Sequence, residues 1–252
     1  MTQSGTIYLV GAGPGPADLL TLRAARLIEQ AQVIVHDGLV GPDVLALAQP
    51  DARLISVAKQ RARHTLPQED INALLVREAL RGRDVVRLKG GDPFIFGRGG
   101  EEAEAALAAG VACEIVPGIS AANGAAAASG IALTHRDAAS IVSFVAGQCK
   151  GLSQQNWAGL AGKGRTLVIY MGVSTAAAIS EKLMGDGLAP DMPIAVIENA
   201  ARPEMRVLRG LLAGLPALTE AEAVQSPALI IIGEVTARTD TAIAAAVQEA
   251  VL

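Results

Sequence analysis

The stretch that most constrains the fold runs from residue 87 to residue 102 and reads RLKGGDPFIFGRGGEE. The apolar segment 84–88 leads into it and predicts a strand, and the glycine-rich end GRGGEE predicts the start of a helix. Five glycines in sixteen residues are more than a packed turn needs. Two of them, Gly90 and Gly91, would let a ligand approach the backbone closely. The alternative is a tight strand–helix turn that carries only a surface ion pair.

Three polar side chains in this stretch could carry chemistry. Asp92 follows the two glycines and can accept hydrogen bonds from a hydroxyl pair or an amine. Arg98 stands between glycines, and Glu101 follows it by three positions. That spacing predicts an ion pair across the first turn of the helix.

The order of predicted elements indicates an α/β protein with two domains. The first half alternates strands and helices, and its fifth strand ends before Pro117-Gly118, a plausible hinge. The pattern then restarts, which predicts an N-terminal domain at 1–117 and a C-terminal domain at 118–252. The predicted strands are 6–10, 33–35, 52–58, 84–88, 113–116, 141–146, 166–170, 193–198, 206–212 and 228–232. The predicted helices are 19–31, 69–81, 101–109, 121–128, one from 174, and 239–250, with Thr65 and Gln68 as a capping box for the second.

The first glycine-rich turn, GAGPGP at residues 11–16, raises the possibility of a dinucleotide site. An acidic residue, Asp37, follows it about 20 positions later, as in the Rossmann fingerprint. However, Pro16 occupies the place of the third glycine. Pro14 and Pro16 also remove two backbone donors that a pyrophosphate needs. A nicotinamide-dependent dehydrogenase is therefore a disfavoured alternative, and a turn close to a ligand without phosphates fits better.

Composition and charge narrow the classes of partner that the chain could bind. Aromatic residues are 2% of the chain and the net charge is −4, which argues against a nucleic-acid surface. Residues 59–98 nevertheless hold nine Lys/Arg and five Asp/Glu, a local positive excess that suits an anionic small molecule. The basic run 59–63 lies after a predicted strand, where α/β proteins usually bind ligands.

The three histidines form no metal motif, and Cys113 reads as a small buried hydrophobe. Neither a signal peptide nor an 18-residue apolar run is present, which predicts a cytoplasmic protein.

The stretch 87–102 resembles the tetrapyrrole methylases, and in particular the branch of that family that methylates uroporphyrinogen III. Further matching segments span nearly the whole chain: residues 10–15 (VGAGPG), 19–22 (LLTL), 67–69 (PQE), 117–121 (PGISA), 133–136 (LTHR) and 170–172 (YMG). The resemblance implies two α/β domains with the active site in the cleft between them, and a homodimer. It also implies two successive methyl transfers from S-adenosylmethionine to uroporphyrinogen III, giving precorrin-2 and S-adenosylhomocysteine, with no metal.

The resemblance further implies which residues bind the cofactor. They share small size or an apolar side chain, with one carboxylate: Pro14, Gly90, Gly91, Asp92, Ile95, Phe96, Ser120, Ala121, Met171, Ala200 and Ala228. Without the family, Met171, Ala200 and Ala228 would be predicted to lie in the core.

The substrate of that branch carries eight carboxylates, so the resemblance assigns it arginines. Arg98 and Arg136 match functional arginines of the family, and Asp37 could face the macrocycle or merely be solvated at a strand end. The predicted catalytic pair is Arg98 with Glu101. Because arginine stays protonated, its expected role is to clamp a carboxylate, while Glu101 orients it or relays a proton.

Three positions depart from the family pattern, which usually has Asp, Tyr and often Arg where this chain has Pro16, His36 and Gly38. Gly38 removes one potential contact to a substrate carboxylate. A methylase acting later in corrin synthesis, sharing fold and cofactor, is the nearest alternative. A non-catalytic binding module is a second, and it would leave Arg98 and Glu101 unexplained. The pathway that the product feeds, towards cobalamin, sirohaem or haem d1, stays open.

Overall fold

A computed structural model describes residues 4–58, 66–148 and 155–238 of the chain. It divides into two compact units, Met1–Ala121 and Ala122–Leu252. Each contains its own five-stranded sheet and is described by itself. The α/β class predicted from the sequence is confirmed, while the predicted domain boundary after residue 117 stays a prediction.

The first unit is built on a parallel sheet with the strand order β3-β2-β4-β1-β5. Its pairs β1–β4, β1–β5, β2–β3 and β2–β4 are all parallel. β4 is thus internal, and the residues after it are flanked by those after β1 and β2. The strands are β1 Ile7–Gly11, β2 Val33–His36, β3 Arg53–Ser56, β4 Val85–Lys89 and β5 Cys113–Val116.

The inner strands β1, β2 and β4 are buried along most of their length, so their side chains pack on both faces of the sheet, as in other parallel sheets. Ile7 and Leu9 of β1 pack in one cluster with side chains of α3 and α4. Val10 packs on the other face, in a cluster that includes side chains of α1 and α2. The helices of this unit are α1 Leu22–Gln30, α2 Pro42–Leu45, α3 Gln68–Leu80 and α4 Gly99–Ala108.

Several helix starts differ by one to three residues from the sequence prediction. The predicted helix 19–31 begins only at Leu22, because the Thr21 hydroxyl caps it by accepting a hydrogen bond from Ala24 N. A short 3-10 turn, Ala17–Leu19, precedes this cap. α3 begins at Gln68 after Pro67. The proposed capping residue Thr65 and the basic run 59–63 lie outside the described residues.

The second unit contains a mixed sheet with the order β6-β7-β10-β8-β9. β6 and β7 are parallel, whereas β10 runs antiparallel to both β7 and β8, and β9 runs antiparallel to β8. Residues at the start of β10 therefore lie beside residues at the ends of β7 and β8. The strands are β6 Ala139–Ala146, β7 Gly164–Tyr170, β8 Pro193–Glu198, β9 Arg206–Leu211 and β10 Ala228–Ile232.

One face of this mixed sheet packs on helices of its own unit. Ile169, Val196 and Ile230 lie in a buried cluster with Ile179 and Leu183 of α6. The helices are α5 Ala121–Ser129, α6 Ala176–Gly185 and α7 Leu215–Ala221; α5 begins at the last residue of the first unit. The predicted helix 239–250 lies outside the described residues. Within the described part of the chain, no helix has the length and apolar character needed to cross a membrane.

Candidate active site

Two glycine-rich turns meet where β1 and β4 end. The Gly91 N–H donates to the Gly13 carbonyl at 2.7 Å, and the Gly13 N–H donates to the Gly91 carbonyl at 3.2 Å. Ala12 N also donates to the Lys89 carbonyl at 2.8 Å, which continues the pairing of the two strands. The GAGPG and GGD motifs, nearly 80 residues apart in sequence, therefore form one continuous edge.

Asp92 holds this edge to the residues after β5. One carboxylate oxygen accepts from Phe94 N at 2.8 Å, and the other accepts from Gly118 N at 3.0 Å. Gly118 lies against the backbone of Gly11 and Gly91, and a Cβ there would stand 2.3 Å from the Gly91 oxygen. Only glycine can occupy that position without a shift of the backbone. Asp92 thus joins the residues after β4 to those after β5, and its carboxylate still has lone pairs that could accept hydrogen bonds from a ligand.

Gly91 brings the predicted cofactor residues of the first unit together. Its φ is +70°, a left-handed conformation. A Cβ at this position would stand 3.4 Å from Ala121 N and 3.9 Å from Ser120 Cα. The glycine therefore leaves a space the size of a methyl group between the GGD turn and the start of α5. Pro14, buried in the first turn, belongs to the same edge.

Asp37 ties the end of β2 to this edge. Its carboxylate accepts from Leu39 N at 2.9 Å and, more weakly, from Gly90 N at 3.4 Å. The side chain is partly exposed. Gly90 itself packs against Leu39, because a Cβ on Gly90 would come within 2.7 Å of the Leu39 Cβ.

Arg98 and Glu101 form the ion pair that their spacing predicts. Arg98 Nε lies 2.7 Å from Glu101 Oε1, and Arg98 Nη2 lies 2.7 Å from Glu101 Oε2. The pair is bidentate, and about half of each side chain is exposed. The hydrogen bonds from Arg98 lower the pKa of Glu101, and the same bonds raise the pKa of Arg98. The Nη1 edge of the guanidinium is not used by this pair.

Strained backbone concentrates at the predicted site. Within the described residues, six non-glycine residues have a positive φ, a conformation that is uncommon for L-residues. Phe96 and Arg98 flank Gly97 in the loop before α4, and Arg98 is the N-cap residue of that helix. The other four are Met171, Asn199, Ala201 and Ala223.

The predicted cofactor residues of the second unit also share one edge. Met171 follows β7, Ala200 follows β8 by two positions, and Ala228 begins β10. Ala228 pairs with Glu198, and its neighbour Leu229 pairs with Tyr170, so the three positions are adjacent across the sheet. The side chain of Met171 is 46% exposed, and Ala200 and Ala228 are partly buried. The prediction of a core position, made without the family, is wrong for Met171.

The remaining predicted residues lie on loops. Ile95 is partly buried and Phe96 is exposed in the segment between Asp92 and α4. Arg136 is exposed on the loop between α5 and β6, in the second unit. Cys113 packs against the core cluster of the parallel sheet, as a small hydrophobe would, but it is only partly buried because β5 is an edge strand.

A buried charge cluster lies directly beneath the GGD turn and was not predicted. Arg87, Lys89 and Glu102 are each at most 3% exposed, and both cations contact the Glu102 carboxylate. The sequence does carry a signal, because two basic residues at alternate positions of an otherwise apolar strand must share one face. Among the described residues, no cluster of three or more His, Cys, Asp or Glu side chains could hold a metal ion.

The parallel sheet, its glycine-lined carboxyl edge and the exposed Arg98–Glu101 pair define a small-molecule enzyme of the α/β class. Comparison with known proteins identifies its family. The sequence profile of the tetrapyrrole (corrin/porphyrin) methylases matches residues 6–216. The chain belongs to this family.

The curated relatives of the chain include sirohaem synthases. The chain is 52% identical to a sirohaem synthase of Gluconacetobacter diazotrophicus over 92% of its own length, and 53% identical to sirohaem synthase 3 of Aeromonas hydrophila over 94%. It spans about half the length of these curated relatives (50% and 51%).

Solved structures resemble the chain over most of both lengths. A uroporphyrin-III C-methyltransferase of Thermus thermophilus complexed with S-adenyl homocysteine is 41% identical, with a TM-score of 0.75, over 92% of this chain and 99% of that one. A cobalt precorrin-4 methyltransferase is 25% identical, with a TM-score of 0.81, over 92% of this chain and 95% of that one.

Proposed function

We propose that this protein transfers two methyl groups from S-adenosylmethionine to carbons of uroporphyrinogen III and so forms precorrin-2. The observation that carries the proposal is the gap between Gly91 and the Ser120–Ala121 backbone, at the edge where β1, β4 and β5 end. The similar Thermus thermophilus enzyme supports it, since that protein is named for this methylation and is complexed with S-adenyl homocysteine.

The residues present fit S-adenosylmethionine. The gap opposite Gly91 is one that a single Cβ would fill, and it is lined by backbone rather than by bulky side chains. Asp92 and Ser120 add polar groups next to it, while Ile95 and Phe96 offer apolar surface. Pro14 removes a backbone donor, which suits a ligand without phosphates better than a dinucleotide. From the second unit, the proposed cofactor contacts are Met171, Ala200 and Ala228.

The GAGPG and GGD turns, with Ser120 and Ala121, form what we call the cofactor edge. The proposed substrate contacts are cationic or lie beside this edge. Arg98 presents a guanidinium whose orientation Glu101 fixes through two hydrogen bonds. A guanidinium held in one plane can bind a carboxylate through two parallel bonds. Arg136 provides a second exposed cation for a substrate with eight carboxylates, and Asp37 is a polar contact at the neighbouring strand end.

The proposed chemistry needs alignment more than activation by the protein. S-adenosylmethionine, when bound, supplies a methyl group that its sulfonium already activates. Arg98 would hold the macrocycle so that one pyrrole carbon faces that methyl group. This alignment lowers the barrier to methyl transfer. Arg98 lowers the pKa of Glu101, which makes this carboxylate a weaker proton acceptor. We therefore assign Glu101 the orienting role rather than the proton relay.

A later corrin methylation is the second candidate function. The similarity to cobalt precorrin-4 methyltransferase, with the TM-score of 0.81, favours it. Its lower identity of 25% compared with 41% favours uroporphyrinogen III as the substrate.

The test is incubation with uroporphyrinogen III and S-adenosylmethionine that carries a deuterated methyl group. Mass spectrometry of the product counts the methyl groups gained. The proposal predicts a gain of two labelled methyl groups, with S-adenosylhomocysteine as the second product. Methylation of a later corrin intermediate together with none of uroporphyrinogen III would establish the second candidate instead.

We also propose a homodimer, as the resemblance implies. Light scattering at micromolar concentration should give twice the mass of the 25.7 kDa chain, and a clean monomer mass would contradict it. The cytoplasmic location stays a prediction.

A further inference from the structure

The cluster beneath the GGD turn consists of one carboxylate shared by two cations. Arg87 Nε lies 3.0 Å from Glu102 Oε1, and Lys89 Nζ lies 2.9 Å from each Glu102 oxygen. Gln68 Nε2 of α3 adds a third contact to Glu102 Oε1 at 3.3 Å. All three charged side chains are at most 3% exposed. The cluster therefore joins β4 to α4, and through Gln68 it joins α4 to α3.

Core stability alone does not account for this cluster. Two buried cations face a single buried carboxylate, and the other acidic group that acts on Lys89, Asp37, lies outside the cluster and is partly exposed. Removing charges from water costs free energy that such contacts rarely recover, and apolar residues of similar volume often serve as well. A benefit is therefore expected from what the cluster holds in place.

Lys89 is placed to hold the loop that carries Arg98. It is the last residue of β4 and directly precedes Gly90. Its stem passes under the loop, because a Cβ on Gly97 would stand 3.2 Å from Lys89 Cε. Its ammonium then reaches Glu102, whose own N–H donates to the Arg98 carbonyl at 3.4 Å. Lys89 thus lies beside the residue before Arg98 and contacts the helical turn that follows it.

A second contact holds the same turn from α3. Asn72 Nδ2 donates to the Glu101 carbonyl at 3.4 Å, and Asn72 also accepts from Gln68 at 3.0 Å. The backbone of Glu101 and the side chain of Glu102 are therefore fixed from the same side. What remains on the exposed side is the Arg98–Glu101 pair.

We propose that Lys89 is a positioning residue for methyl transfer, acting through Glu102 and the first turn of α4 to hold the Arg98 guanidinium in its productive orientation. The inference rests on the proposed function. It predicts that loss of the Lys89 ammonium lowers turnover while the cofactor edge, held by Asp92 and the Gly13–Gly91 bridge, keeps its affinity.

The test variant is Lys89→Met, which keeps the apolar stem and removes the charge. Glu102 retains Arg87 and Gln68 as partners, so the variant is expected to fold, which circular dichroism checks. We expect turnover to fall at least roughly 10-fold, since small misplacements of a positioning group have effects of this order. Affinity for S-adenosylhomocysteine should stay within about threefold. Lys182→Met is the matched control, because Lys182 also pairs with an acidic residue, Asp186, but in the second unit.

A double-variant cycle separates positioning from a general structural role. If Lys89 acts through Arg98, the double variant Lys89→Met/Arg98→Lys should be little slower than Arg98→Lys alone. The effects of independent sites, such as Lys182 and Arg98, multiply in the double variant. If the losses from Lys89→Met and Arg98→Lys also multiply, the inference is contradicted. Turnover of Lys89→Met within threefold of the parent would contradict it as well.

A measurement that needs no turnover completes the test. Hydrogen exchange of the amides at the start of α4 should be faster in Lys89→Met than in the parent, while exchange in β1 is unchanged. Unchanged exchange in α4 would overturn the inference even if methyl transfer is observed. Faster exchange in a protein that transfers no methyl group would overturn the proposed function and leave the positioning contact established.

Discussion

Gly13 and Gly91 exchange two backbone hydrogen bonds, of 3.2 Å and 2.7 Å, across the ends of β1 and β4. This bridge aligns two turns that the sequence offers only as separate glycine-rich motifs. Gly91 must adopt a φ of +70° to form it, and in doing so it leaves open the space in front of Ser120 and Ala121. The same residue therefore shapes the edge and keeps it accessible.

Replacement of Gly91 tests whether that space binds the cofactor. Gly91→Ala places a Cβ in the gap, and we expect affinity for S-adenosylhomocysteine to fall by at least roughly 10-fold in calorimetry. The left-handed backbone also costs about 1 kcal/mol with alanine. Gly110→Ala is the matched control, because Gly110 has a φ of +68° and no atom within 4 Å of its Cβ position.

The two variants should lose similar stability in urea unfolding but differ in cofactor affinity. Equal affinities in Gly91→Ala and Gly110→Ala would show that the GGD turn is only structural. Stability and cofactor affinity can both be measured on the same preparations of the two variants.

The cofactor edge should discriminate between ligand classes. We expect micromolar binding of S-adenosylhomocysteine and no binding of NAD or NADP, since Pro14 and Pro16 remove donors that a pyrophosphate requires. Calorimetry with all three ligands measures this. Tight NAD binding with no heat from S-adenosylhomocysteine would support the dehydrogenase alternative.

Ala223 offers a stability test away from the site. It ends α7 in a Schellman motif, with Val224 N donating to the Thr219 carbonyl and Ala223 N donating to the Glu220 carbonyl. Its φ of +47° is the position that glycine usually occupies. We expect Ala223→Gly to raise the free energy of unfolding by about 0.5–1 kcal/mol without changing turnover. A loss of stability in thermal or urea unfolding would show that this backbone is not strained.

The pH dependence of stability should report the burial of Lys89. Burial, followed by the nearby Arg87 charge, lowers the pKa of Lys89 below the ordinary 10.5, and Glu102 opposes that shift. Between the lowered pKa and 10.5 the unfolded chain binds more protons than the folded one, so this group's contribution to stability rises with pH. Below that window the folded protein carries the full cost of the buried ammonium.

Urea unfolding of the parent and of Lys89→Met, at several pH values from neutral towards 10.5, isolates this contribution. The free energy of unfolding of the parent should increase relative to that of the variant as pH rises. Each tenfold change in proton affinity corresponds to about 1.4 kcal/mol. A difference that stays constant, or that shrinks with pH, would contradict the assigned direction of the pKa shift.

Local patterns explain why part of this structure could be predicted. The strand before Gly90 and the pairing of Arg98 with Glu101 depend on residues close in sequence, and both are present as predicted. The end of the predicted helix 19–31 is within one residue of the α1 end, but its start is wrong. The apolar pattern continues through Leu19 and Leu20, whereas the Thr21 cap sets the actual start at Leu22.

Long-range partners explain most of what could not be predicted. Asp92 reads as a ligand acceptor, yet its oxygens bind Phe94 and, 26 positions away, Gly118. The partner of Lys89 is Glu102, 13 positions later, and only the internal place of β4 in the sheet buries both. Met171 likewise is exposed and has a positive φ directly after β7, and its apolar character indicates neither.

Arg98→Lys tests the central claim most directly, because it keeps the charge and removes the planar fork that can hold a carboxylate through two bonds. We expect methyl transfer to uroporphyrinogen III to slow by roughly 10²-fold or more, with affinity for S-adenosylhomocysteine unchanged. Arg81→Lys is the matched control, since Arg81 also pairs with a glutamate three positions away, Glu78, at the far end of α3. Turnover of Arg98→Lys within threefold of the parent would remove Arg98 from the catalytic site, and a matching loss of cofactor affinity would assign it to the cofactor edge instead.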